Sequence, residues 1–275
     1  MALRDKINQR WRVDDRRGMP MIGWGGIGLV GIVVVLAIGY FWGPEQAIQV
    51  RQDLQQNSPM VQQQTTNTWE YEGEDEYEVF ASTVLGSLNG LWKWEFQKSD
   101  TIYQEPTLVL FRWGTQSACG WAVSQVGPHY CPLDSTIYLD ETFFKELTQR
   151  FGAEGWDLAQ AYVIGHEVGH HVQKLLSITN QTRRWDNESS IKLELQADCL
   201  AGIWMGKINQ EGILEQNDLY QALDAAQAVG DDNIQKKTSW TTQPESRTHG
   251  SSAQRKERLM KGYNTQSFEA CNTFG

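Results

Sequence analysis

The chain has 275 residues, enough for one sizeable domain or two small ones, and 40% of them are hydrophobic. Its 24 Lys+Arg against 34 Asp+Glu give a formal charge of −10 and argue against a nucleic-acid module, which would need a basic footprint. Four cysteines are too few for a disulfide-dense mini-scaffold, and a mean hydropathy of −0.50 rules out a polytopic membrane protein.

In chain order, residues 1–18 carry Arg4, Lys6, Arg10, Arg12, Arg16 and Arg17 against Asp5, Asp14 and Asp15. No charged residue then lies between Arg17 and Glu45. As a helix, residues 19–42 would span about 30 Å, the thickness of a bilayer core, with Trp24, Tyr40, Phe41 and Trp42 near its ends. No small-x-small cleavage pattern follows Trp42, so the run predicts an uncleaved transmembrane signal anchor. The flanking charge places residues 1–18 in the cytoplasm as a basic N-terminus and the rest of this single-pass protein outside it. Residues 43–78, rich in Gln and then acidic, predict a flexible linker.

Residues 79–275 form the expected domain. Phe80, Val84, Leu88, Leu91 and Trp92 predict a helix over Val79–Gln97. Thr107–Trp113 and Thr136–Leu139 read as strands, with Gly114, Gly120, Gly127 and Pro128 in loops between them. After Asp140 the pattern turns helical almost to the end. The order helix, small sheet, several helices predicts an α+β fold.

His166-Glu167-Val168-Gly169-His170 is an H-E-x-x-H motif inside a helical stretch, Leu158–Leu176. Ala161, Ile164, Val168, Val172 and Leu175 form one apolar stripe, and His166 and His170 lie roughly opposite it, about 40° apart. Two imidazoles at this spacing can hold one tetrahedral zinc ion. Glu167, about 100° round the helix, is placed to take a proton from the attacking water. Gly169 predicts a close approach by another backbone, and His171, about 140° from His166, predicts a surface or packing histidine.

Zinc needs a third protein ligand. Gln173 and Leu176 stand where a metzincin would need Gly and His. Glu194 and Asp198, four apart on the next helical stretch, predict a ligand and an acceptor that orients a ligand histidine. Asp186 and Glu188, nearer a loop, are weaker competitors. The small residues Ala197, Ala201 and Gly202 would let the two helices approach.

H-E-V-G-H-H-V-Q, E-L-Q-A-D-C, T-H-G and the terminal C-N-T-F-G together resemble the neutral zinc metallopeptidases of bacteria. The resemblance extends over the N-terminal run, the Cys119–Cys131 segment and Ala225–Asp232. It implies a zincin-like domain of gluzincin type, a Zn2+ cofactor and a peptide or protein substrate; the flanking charge already sets the expected domain on the periplasmic side. A wider similarity to gluzincins of the CAAX-processing and heat-shock type carries a Thr-His-Pro followed by an Arg. Here Thr248-His249-Gly250 and Arg255 stand at matching spacing. It implies that His249 donates to the oxyanion and that Arg255 holds a carboxylate or the substrate backbone. By analogy with zincins, the strand Thr136–Leu139 pairs with an extended substrate.

Outside the cytoplasm, Cys119–Cys131 and Cys199–Cys271 are the natural pairs, with two other connectivities or free buried thiols as alternatives. The rival reading of the chain is a membrane-tethered binding or scaffold protein with a structural or degenerate zinc site, for which Glu167 would be dispensable. An intramembrane protease fails on polarity, since Asp157, Gln160, Gln173 and Lys174 lie in the motif helix. An enzyme of reversed topology, in the cytoplasm with reduced thiols, is the remaining alternative.

Overall fold

A computed structural model describes residues 6–7, 11–17, 75–123, 127–143, 157–181, 187–215, 217–239 and 248–274. The chain divides into two compact units, one of Met1–Arg17 with Glu72–Gly275 and one of Gly18–Tyr71. The second unit lies outside the described residues, and so do the expected transmembrane segment 19–42 and linker residues 43–74. Among the described residues no helix is long and apolar enough to cross a membrane.

The first unit is α+β. In order, its elements are β1 (Val13–Asp15), α1 (Glu76–Gln97), β2 (Thr107–Phe111), β3 (Gly114–Ser117), β4 (Gly120–Val123), β5 (His129–Cys131) and β6 (Thr136–Asp140). Then follow α2 (Asp157–Leu175), α3 (Asn187–Gln210), α4 (Asp218–Ala228), α5 (Asp231–Ser239) and α6 (Ser252–Thr265). The main sheet has the order β1-β2-β6-β5, parallel except for the β5–β6 pair, and β3 and β4 form a separate hairpin.

Alternation in β2 and β6 feeds two cores. Leu108, Leu110, Ile137 and Leu139 pack with α1, α2 and α3, while Val109, Phe111 and Tyr138 pack with Ala122 and Cys131. Burial on both faces explains why these strands read as continuous apolar runs rather than alternating ones. The apolar stripe of α2 (Ala161, Ile164, Val168, Val172) is buried in the first core, as its periodicity predicted.

Two segments differ from the sequence reading. The first is the N-terminal arm, expected to stand apart from the domain. Val13–Asp15 pairs with Leu108–Leu110, and Trp11 and Val13 pack on the core. Three residues of strand in an arm with nine charged side chains carry too weak a local pattern to read. The second is the end of the linker. Asp75 caps α1 by accepting from the Glu78 amide, and Glu76 and Glu78 fill the first turn. The acidic run thus complements a helix N-terminus as it ends.

The helices meet closely where glycines allow it. A Cβ on Gly169 would lie 2.9 Å from Ala197 Cα, and one on Gly165 would meet Ala201 Cβ at 3.3 Å, so α2 and α3 touch through the small residues expected. Gly202 faces elsewhere: its added Cβ would lie 2.1 Å from the Leu259 carbonyl oxygen, in α6. Disulfides join Cys119 to Cys131, tying the β3–β4 turn to β5, and Cys199 to Cys271, tying α3 to the C-terminal segment.

Candidate metal centre

His166 and His170 project from α2 on one side of the helix, and Glu194 reaches them from α3. The two Nε2 atoms are 3.1 Å apart. Glu194 Oε2 lies 3.2 Å from His166 Nε2, and Oε1 lies 3.3 Å from His170 Nε2. Bonds of about 2.0–2.1 Å to one tetrahedral zinc would put ligand atoms about 3.4 Å apart. Among the described residues these three form the group able to hold a metal ion.

The Nδ1 atoms fix what the Nε2 atoms can do. His166 Nδ1 lies 2.9 Å from Asp198 Oδ1, and His170 Nδ1 lies 2.9 Å from Gln173 Oε1. The Gln173 amide nitrogen donates to Leu193 O and Gln196 Oε1, so its oxygen is the atom left to accept from His170. Each ring therefore gives its Nδ1 proton to a partner, and in the neutral rings two Nε2 lone pairs face one another at hydrogen-bond distance. That arrangement calls for a cation between them.

Charge points the same way. Burial opposes a charged His166, but the Asp198 carboxylate outweighs it and pushes the imidazole up to about 10. His170 is also raised, against burial, by Glu194. Burial would raise Glu194, yet the two histidines hold it well below the usual carboxylate range. A pocket that draws protons onto both imidazoles has the electrostatics of a cation site.

Asp198 is fully buried and takes a two-pronged ion pair from Arg255, Nε to Oδ2 at 2.8 Å and Nη2 to Oδ1 at 2.9 Å. Tyr162 donates to Asp198 Oδ1 at 2.6 Å. Of the two roles open to Arg255, the structure shows the carboxylate one. Tyr162, Gln173 and Gln196 were not found by sequence reading. Tyr162 sits four residues before His166 and Gln173 three after His170, and that helical spacing was the available signal.

His249 enters from the loop before α6. Asp231, at the start of α5, accepts from the backbone amides of Thr248, His249 and Gly250 through Oδ2, and its Oδ1 lies 3.1 Å from His249 Nδ1. That hydrogen bond raises the His249 pKa against burial, favouring the imidazolium, which keeps a proton on Nε2. Gly250 sits at φ +87 in this turn, a conformation closed to proline, where the wider gluzincin pattern has Pro.

His171 is apart from the centre. It is fully buried, bonded to Tyr130 Oη and the Gln104 carbonyl, and burial lowers it to about 4. It is a packing histidine.

A cleft of about 500 Å³ is lined by His166, Glu167, His170, Glu194, His249 and Arg255 together with apolar side chains that include Phe143, Val163, Val229 and Ile234. Tyr130 of β5 also lines it. β6 lies between β2 and β5 and has no free edge; β5 is the edge strand on that side. Both sides of β6 are already hydrogen-bonded, so Thr136–Leu139 has no free edge for the strand addition expected of it.

The profile of a family described as "Putative neutral zinc metallopeptidase" matches residues 3–274. The chain is 41% identical to Uncharacterized protein YpfJ of Escherichia coli over 281 aligned positions, covering 96% of this chain and 95% of that one. It is 42% identical to Uncharacterized protein Rv2575 of Mycobacterium tuberculosis over 185 positions, covering 62% and 63%. No solved structure is significantly similar.

Proposed function

Because the chain belongs to the neutral zinc metallopeptidase family, we propose that it hydrolyses peptide bonds at the His166–His170–Glu194 centre, with Glu167 as general base. The observation that carries this reading is the convergence of two imidazole nitrogens from α2 and a carboxylate from α3 at tetrahedral spacing, beside Glu167 in an open cleft. Bound there, zinc supplies the positive charge that polarises the scissile carbonyl and acidifies water. His166, His170 and Glu194 would hold it.

Glu167 lines the cleft one residue from a ligand, where it accepts the proton of the attacking water and passes it to the leaving amine. His249, charged through Asp231, donates from Nε2 to the oxyanion of the tetrahedral intermediate, an effect worth about 3 kcal/mol in comparable sites. Asp198, held by Arg255 and Tyr162, fixes the tautomer of His166. The edge of β5 offers backbone groups to an extended peptide, and the apolar wall receives its side chains. The two disulfides support an extracytoplasmic setting for the domain.

The test compares wild type with Glu167→Gln for zinc content and for cleavage of an unfolded-protein mixture. It uses the full chain in detergent, because a fragment beginning at 79 would lose β1 and the Asp75 cap. Both should bind one zinc, and the variant should lose about 10³-fold in rate. Zinc binding by both with cleavage by neither would favour the membrane-tethered scaffold reading.

A further inference from the structure

Two of the basic side chains that line the cleft are already paired with carboxylates. Arg255 gives its guanidinium to Asp198, and His249 lies against Asp231. Lys174 lines the same cleft and is not so paired. Among the described residues no ion pair joins it to a carboxylate, and its ammonium donates to the Ser135 hydroxyl at 2.5 Å.

Ser135 holds that ammonium without neutralising it. Ser135 hydrogen-bonds Tyr130, and Tyr130 Oη lies 2.9 Å from His171 Nδ1. His171 Nε2 faces the Gln104 carbonyl, which can only accept. Nε2 therefore carries the proton of the neutral ring, and Nδ1 accepts from Tyr130. Lys174, Ser135, Tyr130 and His171 form one chain of donors that ends on a carbonyl. The chain fixes the ammonium and brings no negative charge to it. An ammonium has three donors, so two remain after Ser135. Lys174 is only partly buried, on the wall of an open cleft.

Its position relative to the metal centre follows from helix geometry. Lys174 comes four residues after His170, as His170 comes four after His166, so the three lie along one side of α2. One turn is about 6 Å along the helix axis, and an extended peptide advances about 3.4 Å per residue. A peptide lying in the cleft therefore passes Lys174 about two residues from the centre. The apolar walls around Phe143 and Val163 reduce the screening of a charge pair formed there.

We propose that Lys174 sets the specificity of the cleft, and that the substrate is a peptide with a carboxylate about two residues from the bond at the metal centre. This rests on the peptidase reading above and adds the class of substrate to it. The carboxylate is an Asp or Glu side chain or the C-terminus of the peptide, and either presents the same two oxygens to the ammonium.

The test reads binding first, so that it stands apart from hydrolysis. The zinc-loaded full chain carrying Glu167→Gln, in detergent, is titrated against dansyl-labelled apolar hexapeptides and followed by fluorescence anisotropy. One set has an amidated terminus and a single glutamate moved through each position. A second has a free C-terminal carboxylate and no glutamate, and a third has neither. A carboxylate peptide should bind about tenfold more tightly than the uncharged one, and the set in which it does so identifies the source. Adding Lys174→Met should abolish that ratio while leaving bound zinc and the affinity for the uncharged peptide unchanged. Lys174→Arg should keep the ratio. A preference that survives Lys174→Met, or no preference in the parent, overturns the assignment. Cleavage of the same peptides with Glu167 intact separates the two readings. Charge-selective binding with no cleavage sinks the peptidase and leaves Lys174 in its role; cleavage of all three sets at equal kcat/KM sinks the role of Lys174 alone.

Discussion

Among the described residues, one charge cluster gathers round the buried Arg17 and another round the buried His166, and they are built differently. Around Arg17, one guanidinium spends its donors on Asp15, Asp75 and Glu141, and the cluster is saturated. Around His166, the ion pair of Asp198 with Arg255 is equally complete, but the imidazoles it supports turn their free nitrogens toward one another and toward an open cleft. The first cluster closes the chain on itself; the second leaves valence unspent. A buried cluster marks a site when its donors converge on space, and otherwise it fastens elements together.

Removing a ligand should break the contrast most sharply. His166→Ala or Glu194→Ala should reduce bound zinc, measured by elemental analysis, below about one-tenth of wild type, with at least about 10³-fold loss of cleavage. Full zinc content in either variant would put the ligand set elsewhere.

Next in size is Gly262→Ala. The added Cβ would lie 1.8 Å from the Cys199 carbonyl oxygen, so α6 must move off α3, the helix that carries Glu194. A loss of about 3 kcal/mol is expected in denaturant unfolding. A neutral result would show that the two helices separate freely.

Asp198→Asn keeps the shape but removes the charge that matches Arg255 and orients His166. Zinc affinity, read by chelator competition, should fall about 10–100-fold. If it does not, the Asp198 cluster is fastening only, like that of Arg17.

Asp231→Asn should be milder, about tenfold in kcat. Its signature is the pH profile. The Asp231 hydrogen bond raises the His249 pKa, so the donor form present below that pKa is lost as pH rises through it. Without the carboxylate, the alkaline fall in activity should begin at lower pH. The smallest effect on the metal is expected from Arg17→Ala, which should leave zinc per folded molecule unchanged while lowering stability.

The two clusters also differ in how far they could be read in advance. His166, Glu167 and His170 lie within five residues of one helix, and Glu194 and Asp198 within five of another, so helical geometry fixes which side chains face together. Gly169 announced the contact that brings the two helices into register. Arg17, Asp75 and Glu141 are far apart in sequence, and no local period relates them. β1 is three residues long and its pairing is parallel, so only the presence of β2 makes it a strand. β5 was hidden in the same way among Gly127, Pro128 and Pro132.

The sequence by itself pointed to the family, the α+β class, the three side chains that could hold a metal and the two cysteine pairs, because these rest on residue type and short-range spacing. Tertiary structure alone decided that Arg255 serves Asp198, that β5 rather than β6 is the open edge, and that the N-terminal residues belong to the domain. Each of these depends on which distant segments meet. That is set by how the apolar faces of the sheet and helices are buried together, a property of the whole chain that no local pattern carries.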